Sequence, residues 1–109
     1  LSLFFADNRL PIRKFPDMPD EEIIASLTAI AGIGAWTAEM FLIFVLNRPD
    51  VFPVDDLGVQ KGVAALNNFS DLIRGRKLVP YGELWRPYRS IAVWYLWNGA
   101  TAFNPAPAQ

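Results

Sequence analysis

The sequence predicts an all-α fold. Apolar residues recur at helical spacing, and no stretch shows the strict alternation of a half-buried strand. Proline, glycine and Asn/Asp breakers interrupt the chain at intervals that suit short helices. Hydrophobic residues make up 52% of the 109 and aromatics 14%, enough to bury a core as one small domain or as part of a larger one.

Taken in order, Leu1–Leu10 is a short amphipathic segment that begins as if within a longer helix. Pro11, Pro16 and Pro19 make the next stretch an extended linker. Asp20 is placed to cap a helix whose first turn carries Glu21 and Glu22, where carboxylates complement the dipole. Ile23, Ile24, Leu27 and Ile30 give that helix one apolar stripe. Gly32-Ile33-Gly34 breaks it, and a second helix follows from about Ala35 to Leu46, ended by Arg48-Pro49. Val51–Val54 is an extended connector to Asp55-Asp56, after which a third helix runs to about Leu66. Asn67, Asn68 and Ser70 mark a turn, Asp71–Ile73 a short helix, and Arg74-Gly75-Arg76-Lys77 a basic loop. Pro87 suits the first turn of a final helix closing at Asn98-Gly99. Phe103–Gln109 reads as a flexible Pro/Ala tail. Phe41, Phe44, Ile91 and Tyr95 fall at helical spacings expected of core residues.

Composition narrows the chemistry. The chain has no cysteine, which excludes a disulfide framework, a thiolate zinc site and an iron–sulfur cluster. It has no histidine, so acid–base work would fall to carboxylates, lysine or tyrosine. The apolar runs Phe41–Leu46 and Ile91–Trp97 are too short to cross a bilayer, and no targeting leader is read, so no membrane partner is expected. The net charge of −1 argues against nucleic-acid binding through bulk charge. Any such binding must rest on local geometry.

The segment 27–38, Leu-Thr-Ala-Ile-Ala-Gly-Ile-Gly-Ala-Trp-Thr-Ala, offers that geometry. Glycines at 32 and 34 permit a tight hairpin and a close backbone approach to a surface, with Ile33 between them as an inward anchor. The second helix then opens with free N–H groups and a positive dipole end, an anion site that needs no basic side chain. An ordinary αα-hairpin would use the same glycines merely to turn the chain. Asp55 and Asp56, where an extended segment meets a helix start, are both candidates for N-capping. Adjacent residues there point in different directions, so one can cap while the other faces a pocket. Arg74, Arg76, Lys77, Arg86 and Arg89 are open to two readings: phosphate contacts, or a solvated surface with an Arg89–carboxylate pair.

Leu27-x-x-Ile30-x-Gly32-Ile33-Gly34-x-Trp36-Thr37-Ala38 resembles the helix-hairpin-helix motif of the DNA glycosylase superfamily. Asp56 stands 20 residues after Trp36 in Val51-Phe-Pro-Val-Asp55-Asp56-Leu-Gly58, similar to the loop and aspartate that complete its signature. Trp36, the double aspartate and Trp85-Arg-Pro-Tyr88-Arg89-Ser90 resemble the 3-methyladenine DNA glycosylase II type. The likeness spans residues 1–102, with the hairpin at 27–38 and the catalytic loop at 51–58, followed by the tail at 103–109.

The resemblance implies a helix-hairpin-helix glycosylase helical domain, incomplete at its N-terminus. Its partner would be double-stranded DNA carrying alkylated purines, in an intracellular setting, cytoplasm or nucleoid. Gly32, Ile33, Gly34, Ala35 and Thr37 would form the phosphate-binding hairpin. A sodium or potassium ion would rest on the carbonyls of Thr28, Ile30 and Ile33, with no other cofactor required. Asp56 would be catalytic, with Asp55 as its supporting neighbour, and Trp36, Trp97, Asp55 and Met40 would line the base pocket. Met40 stands where a well-known member has an aromatic residue, which leaves the pocket roomier. Members that also cleave the backbone carry a Schiff-base lysine at the position of Trp36, so the chain is expected to be monofunctional. Family members have further helices before the position of Leu1. The chain alone is therefore expected to be a poor enzyme that needs the missing half of the domain or associates with itself. A non-catalytic DNA-binding hairpin and an inactive remnant are the alternatives. Asp56 discriminates, because a pure binder gains nothing from an anion near phosphates.

Overall fold

The computed structural model describes residues 12–30 and 32–105. The amphipathic segment and the end of the tail expected from the sequence fall, wholly or mostly, outside these residues. Every regular element described is helical. The chain divides after Arg48 into two compact units.

The first unit holds a 3-10 turn at Ile12–Asp17, helix α1 at Asp20–Thr28 and helix α2 at Ala35–Phe44. The turn replaces the expected extended linker. Proline's fixed φ also suits a 3-10 helix, and Pro16 lies inside this one. Phe15 drives it into place: its side chain is entirely buried and meets Phe41 edge-on at 6.1 Å. Arg48 seals the arrangement, donating to the Phe15 carbonyl and, at 3.0 Å, to Asp20 Oδ1.

Pro19, not Asp20, is the N-cap of α1. The Pro19 carbonyl accepts from the N–H groups of Glu22 and Ile23, which places Asp20, Glu21 and Glu22 together in the first turn. Ile23 and Leu27 are buried on the expected stripe, continued past the helix by Ile30. Helix α2 buries Ala38, Leu42 and Ile43. It stops two residues short of the expected Leu46, because the N–H groups of Val45 and Leu46 both turn back to the Phe41 carbonyl and Asn47 enters the left-handed region at φ 53°.

The second unit is built on α3, Leu57–Asn67, and its partner helix at Arg89–Gly99. Asn68, at φ 58°, ends α3 in the left-handed conformation that asparagine tolerates. The short helix expected at Asp71–Ile73 is absent. Its place is taken further on by helical turns at Gly75–Leu78, α4 at Val79–Gly82 and a turn at Glu83–Trp85. Tertiary packing orders this stretch, with Leu78 wholly buried and Phe69 edge-on to Tyr81 at 5.9 Å.

Helix α5, Arg89–Gly99, closes where its Asn-Gly predicts. It starts two residues beyond Pro87, which lies in the preceding turn after a cis peptide bond. Its buried face is Ser90, Val93 and Leu96. Ile91 and Tyr95 lie on the other side and are exposed, as is Phe44 in the last position of α2, so these three are not core. Helices α3 and α5 touch at Gly62, where a Cβ would lie 2.4 Å from the Leu96 carbonyl oxygen. Among the described residues, no helix is long and apolar enough to cross a membrane.

Candidate active site

The hairpin of the first unit forms as its glycines require. Gly32 takes φ 86°, a conformation that side chains resist, and the Ile33 N–H closes the turn on the Ile30 carbonyl at 3.1 Å. Gly34 differs. As N-cap of α2 it has φ −93° and ψ 175°, open to any residue, and a Cβ there would meet nothing within 4 Å. Nothing among the described residues therefore demands glycine at 34. A surface that must come close from outside would. Gly34, Ala35 and Thr37 are exposed, Trp36 is about half exposed, Met40 and Ile33 are half-buried, and Ile30 is buried.

The second unit carries the carboxylate. Asp56 is the N-cap of α3, and its Oδ2 accepts the Val59 N–H at 2.9 Å. The same oxygen accepts the indole N–H of Trp97 from α5 at 2.8 Å. The positive end of α3 complements this anion, and the two donors fix its rotamer. Asp56 is only 8% exposed. Capping and the candidate catalytic role thus meet in one residue. Asp55 is exposed, and the cap of α3 is its neighbour.

Gly58 makes the pairing with Trp97 feasible. A Cβ at this position would lie 2.7 Å from Trp97 Cδ1 and 3.2 Å from Asp56 Oδ2. The indole therefore rests directly on the backbone of the first turn of α3. Trp94 also meets this ring, in edge-on contact at 5.1 Å between ring centres.

Helix α5 holds the connector to Asp56 at its other end as well. Pro49 accepts the Ser90 N–H at 2.9 Å, and Ser90 Oγ accepts the Val51 N–H at 2.8 Å. Asp50 Oδ1 accepts both the backbone N–H of Arg89 and its Nε, the latter at 2.7 Å. The Arg89 guanidinium pulls the Asp50 carboxyl below its ordinary value. Residues 49–51 are thus fastened to the first turn of α5 and Asp56 to its last. Between them, the Val54 carbonyl accepts from Gln60 Nε2 at 3.0 Å and from the Gly75 N–H at 3.3 Å.

The structure brings Asp56 and Trp97 together, adds Asp50, Gln60 and Trp94, which sequence reasoning did not name, and gives roles to Gly58 and Ser90, which it named only within motifs. Gln60 and Ser90 are buried polar side chains on otherwise apolar faces, a signal visible in the sequence only once the burial pattern is known. Arg86 and Arg89 follow the ion-pair reading, Arg86 with Glu83 at 2.7 Å and Arg89 with Asp50. An open apolar groove of about 740 Å³ lies on the unit's α3–α5 face, lined by residues such as Leu66, Leu84, Ile91 and Tyr95. It contains no carboxylate, and Asp56 is not among its lining residues.

No family model matches the chain. It is 44% identical over 81 residues to DNA-3-methyladenine glycosylase 1 of Schizosaccharomyces pombe, an alignment that covers 74% of this chain and 36% of that protein. The solved structure of the Schizosaccharomyces pombe 3-methyladenine DNA glycosylase in complex with abasic DNA matches with a TM-score of 0.75 at 41% identity, over 79% of this chain and 42% of that one. The DNA-3-methyladenine glycosidase of Bacillus halodurans matches with a TM-score of 0.80 at 38% identity, over 89% and 45%. The chain spans less than half the length of these relatives.

Proposed function

Because the chain belongs, over most of its length, to the helix-hairpin-helix DNA glycosylase superfamily, we propose that it supplies the hairpin and the carboxylate of an enzyme that excises alkylated purines from double-stranded DNA. The observation that carries this reading is Asp56: a nearly buried carboxylate fixed by two N–H donors at a helix entrance. A module that only bound phosphates would gain nothing from such an anion, which repels them.

The chemistry follows from that one charge. As the N-glycosidic bond lengthens, its electron pair leaves with the base and positive charge grows on the sugar. The Asp56 carboxylate stabilises that charge and orients a water whose oxygen bonds to C1′ and whose proton passes to the carboxylate and from it to solvent. The products are the free base and an abasic site. An alkylated purine is already cationic, so it departs as a neutral base without a strong general acid, and the lack of histidine is no obstacle. An indole face such as that of Trp97, beside Asp56, favours a cationic base over a neutral one by roughly 0.5–2 kcal/mol. Trp36 offers no amine, so no Schiff base forms at that position and the backbone is left intact.

The hairpin grips a phosphate through the first-turn N–H groups of α2, with Gly34 allowing the approach. The expected monovalent cation suits the same turn. Thr28 closes α1, whose last carbonyls have no partner within the helix and form its negative end. The Ile30 carbonyl keeps a second lone pair after accepting Ile33. Bound there, the ion would add positive charge beside the phosphate.

The test is base release from a methylated duplex, with free purine and intact abasic strands measured separately. The chain is assayed alone and joined to the part of its fission-yeast relative that it lacks. Release of 3-methyladenine without strand cleavage is expected from the joined form. Strand cleavage without added base, or release of normal purines at the same rate, would contradict the reading.

A further inference from the structure

Ten basic residues are offset by eleven acidic ones, so a positive surface can arise only from arrangement. In the second unit, ion pairs occupy Arg86, with Glu83 and Asp50, and Arg89, with Asp50. Arg74, Arg76 and Lys77 are exposed and form no ion pair with the described residues. They stand within four consecutive positions, and their mount is firm. Gly75, at φ 61°, turns its N–H onto the Val54 carbonyl at 3.3 Å, two residues before Asp56. Leu78 is wholly buried behind the turn. Gly82 then lies so close to the Phe52 ring that a Cβ would come within 2.8 Å of it. The basic turn is therefore fastened at Val54, and the helix that follows it packs on Phe52, both in the segment that delivers Asp56.

An ordinary solvated loop does not need such a mount. Arg74 is the extended N-cap of the Gly75–Leu78 turn, and Arg76 and Lys77 follow within it, so three exposed cations crowd one short stretch of backbone. Phosphate contacts by such groups position a protein on the duplex rather than read its sequence, and the weakly hydrated guanidiniums lose little solvation in meeting a phosphate. We infer that the Arg74–Lys77 turn is a second contact with duplex DNA, gripping backbone phosphates near the nucleotide on which Asp56 acts. This rests on the glycosylase reading and adds a charge-dependent grip to the hairpin's backbone grip.

The test is the salt dependence of binding by the full chain, measured by anisotropy from 50 to 200 mM salt on a labelled duplex containing a stable abasic-site analogue. Each phosphate neutralised contributes about 0.9 to the slope of log affinity against log salt. The triple variant Arg74→Ala, Arg76→Ala, Lys77→Ala should show a slope shallower by about 2.7. Over this fourfold range the wild-type chain should then lose about 40-fold more affinity than the variant. Arg86→Ala, whose guanidinium is already held by carboxylates, should leave the slope nearly unchanged. A triple variant with the wild-type slope would overturn the inference while leaving the glycosylase reading intact, as would an equal change in Arg86→Ala. A wild-type chain that binds no duplex would overturn both.

Discussion

Replacing Gly58 with alanine should separate Trp97 from Asp56. The added Cβ would sit 2.7 Å from Trp97 Cδ1, whereas carbon atoms pack best at about 3.5–4.0 Å. The indole must therefore retreat by about 0.8 Å or more. Along the worst direction this stretches the 2.8 Å Nε1–Oδ2 hydrogen bond to roughly 3.6 Å, beyond useful range. Overpacking costs about 1–3 kcal/mol, and a lost hydrogen bond to a charged acceptor about 1.5–3 kcal/mol. The two share one displacement, so the total should stay near 2–4 kcal/mol. Urea unfolding of the Gly58→Ala chain measures the stability, and exchange of the Trp97 indole proton, followed by NMR, measures the bond. The proton should exchange faster in the variant. Stability within about 0.5 kcal/mol of wild type together with an unchanged exchange rate would refute the packing argument.

Other outcomes follow from the same geometry. Gly34→Val should fold with a change of at most about 1 kcal/mol, since its backbone and surroundings accept a side chain, yet bind duplex DNA at least about 10-fold more weakly. Equal affinities by anisotropy would make Gly34 a turn residue only. Borohydride should trap no covalent adduct between the chain and abasic DNA, and a lysine-dependent adduct on a denaturing gel would end the monofunctional reading. Asp50, held below its ordinary 3.8 by Arg89, should stabilise fully above that value and progressively less as pH falls through its lower folded-state value. The gap in urea midpoint between wild type and Asp50→Asn should therefore be constant above about pH 5 and shrink in acid. A gap independent of pH would show that the carboxylate's charge is immaterial.

The parts legible in the sequence are those settled within a few residues. Gly32 marks the turn because only glycine adopts φ 86° cheaply, and Asn68 marks the end of α3 for a related reason. Asp56 is readable as a capping carboxylate because α3 begins at the next residue. The indole on Asp56 is not readable from local pattern, since Trp97 lies 41 positions away and Gly58 looks like any early helical glycine. The clamp of Asp50 on Arg89 spans 39 positions and is hidden for the same reason. The turns between Gly75 and Trp85 have weak local propensity and form because Leu78 is buried. Ile91 and Tyr95 misled because spacing shows that a helix has an apolar side but not which side the neighbouring helix covers. Gly62 and Leu96 decide that, through backbone proximity that no periodicity reports.

The central claim is that Asp56 supplies the charge that breaks the glycosidic bond. Single-turnover release of 3-methyladenine tests it most directly, comparing Asp56 with Asp56→Asn in the chain joined to its relative's missing part. Asparagine keeps the volume and can still accept from Val59 and Trp97, so folding and duplex affinity should persist. The rate should fall by about 100- to 1,000-fold, the scale of losing one preorganised electrostatic group. An Asp56→Asn protein that releases the base within about threefold of the wild-type rate, at equal affinity, would contradict the account.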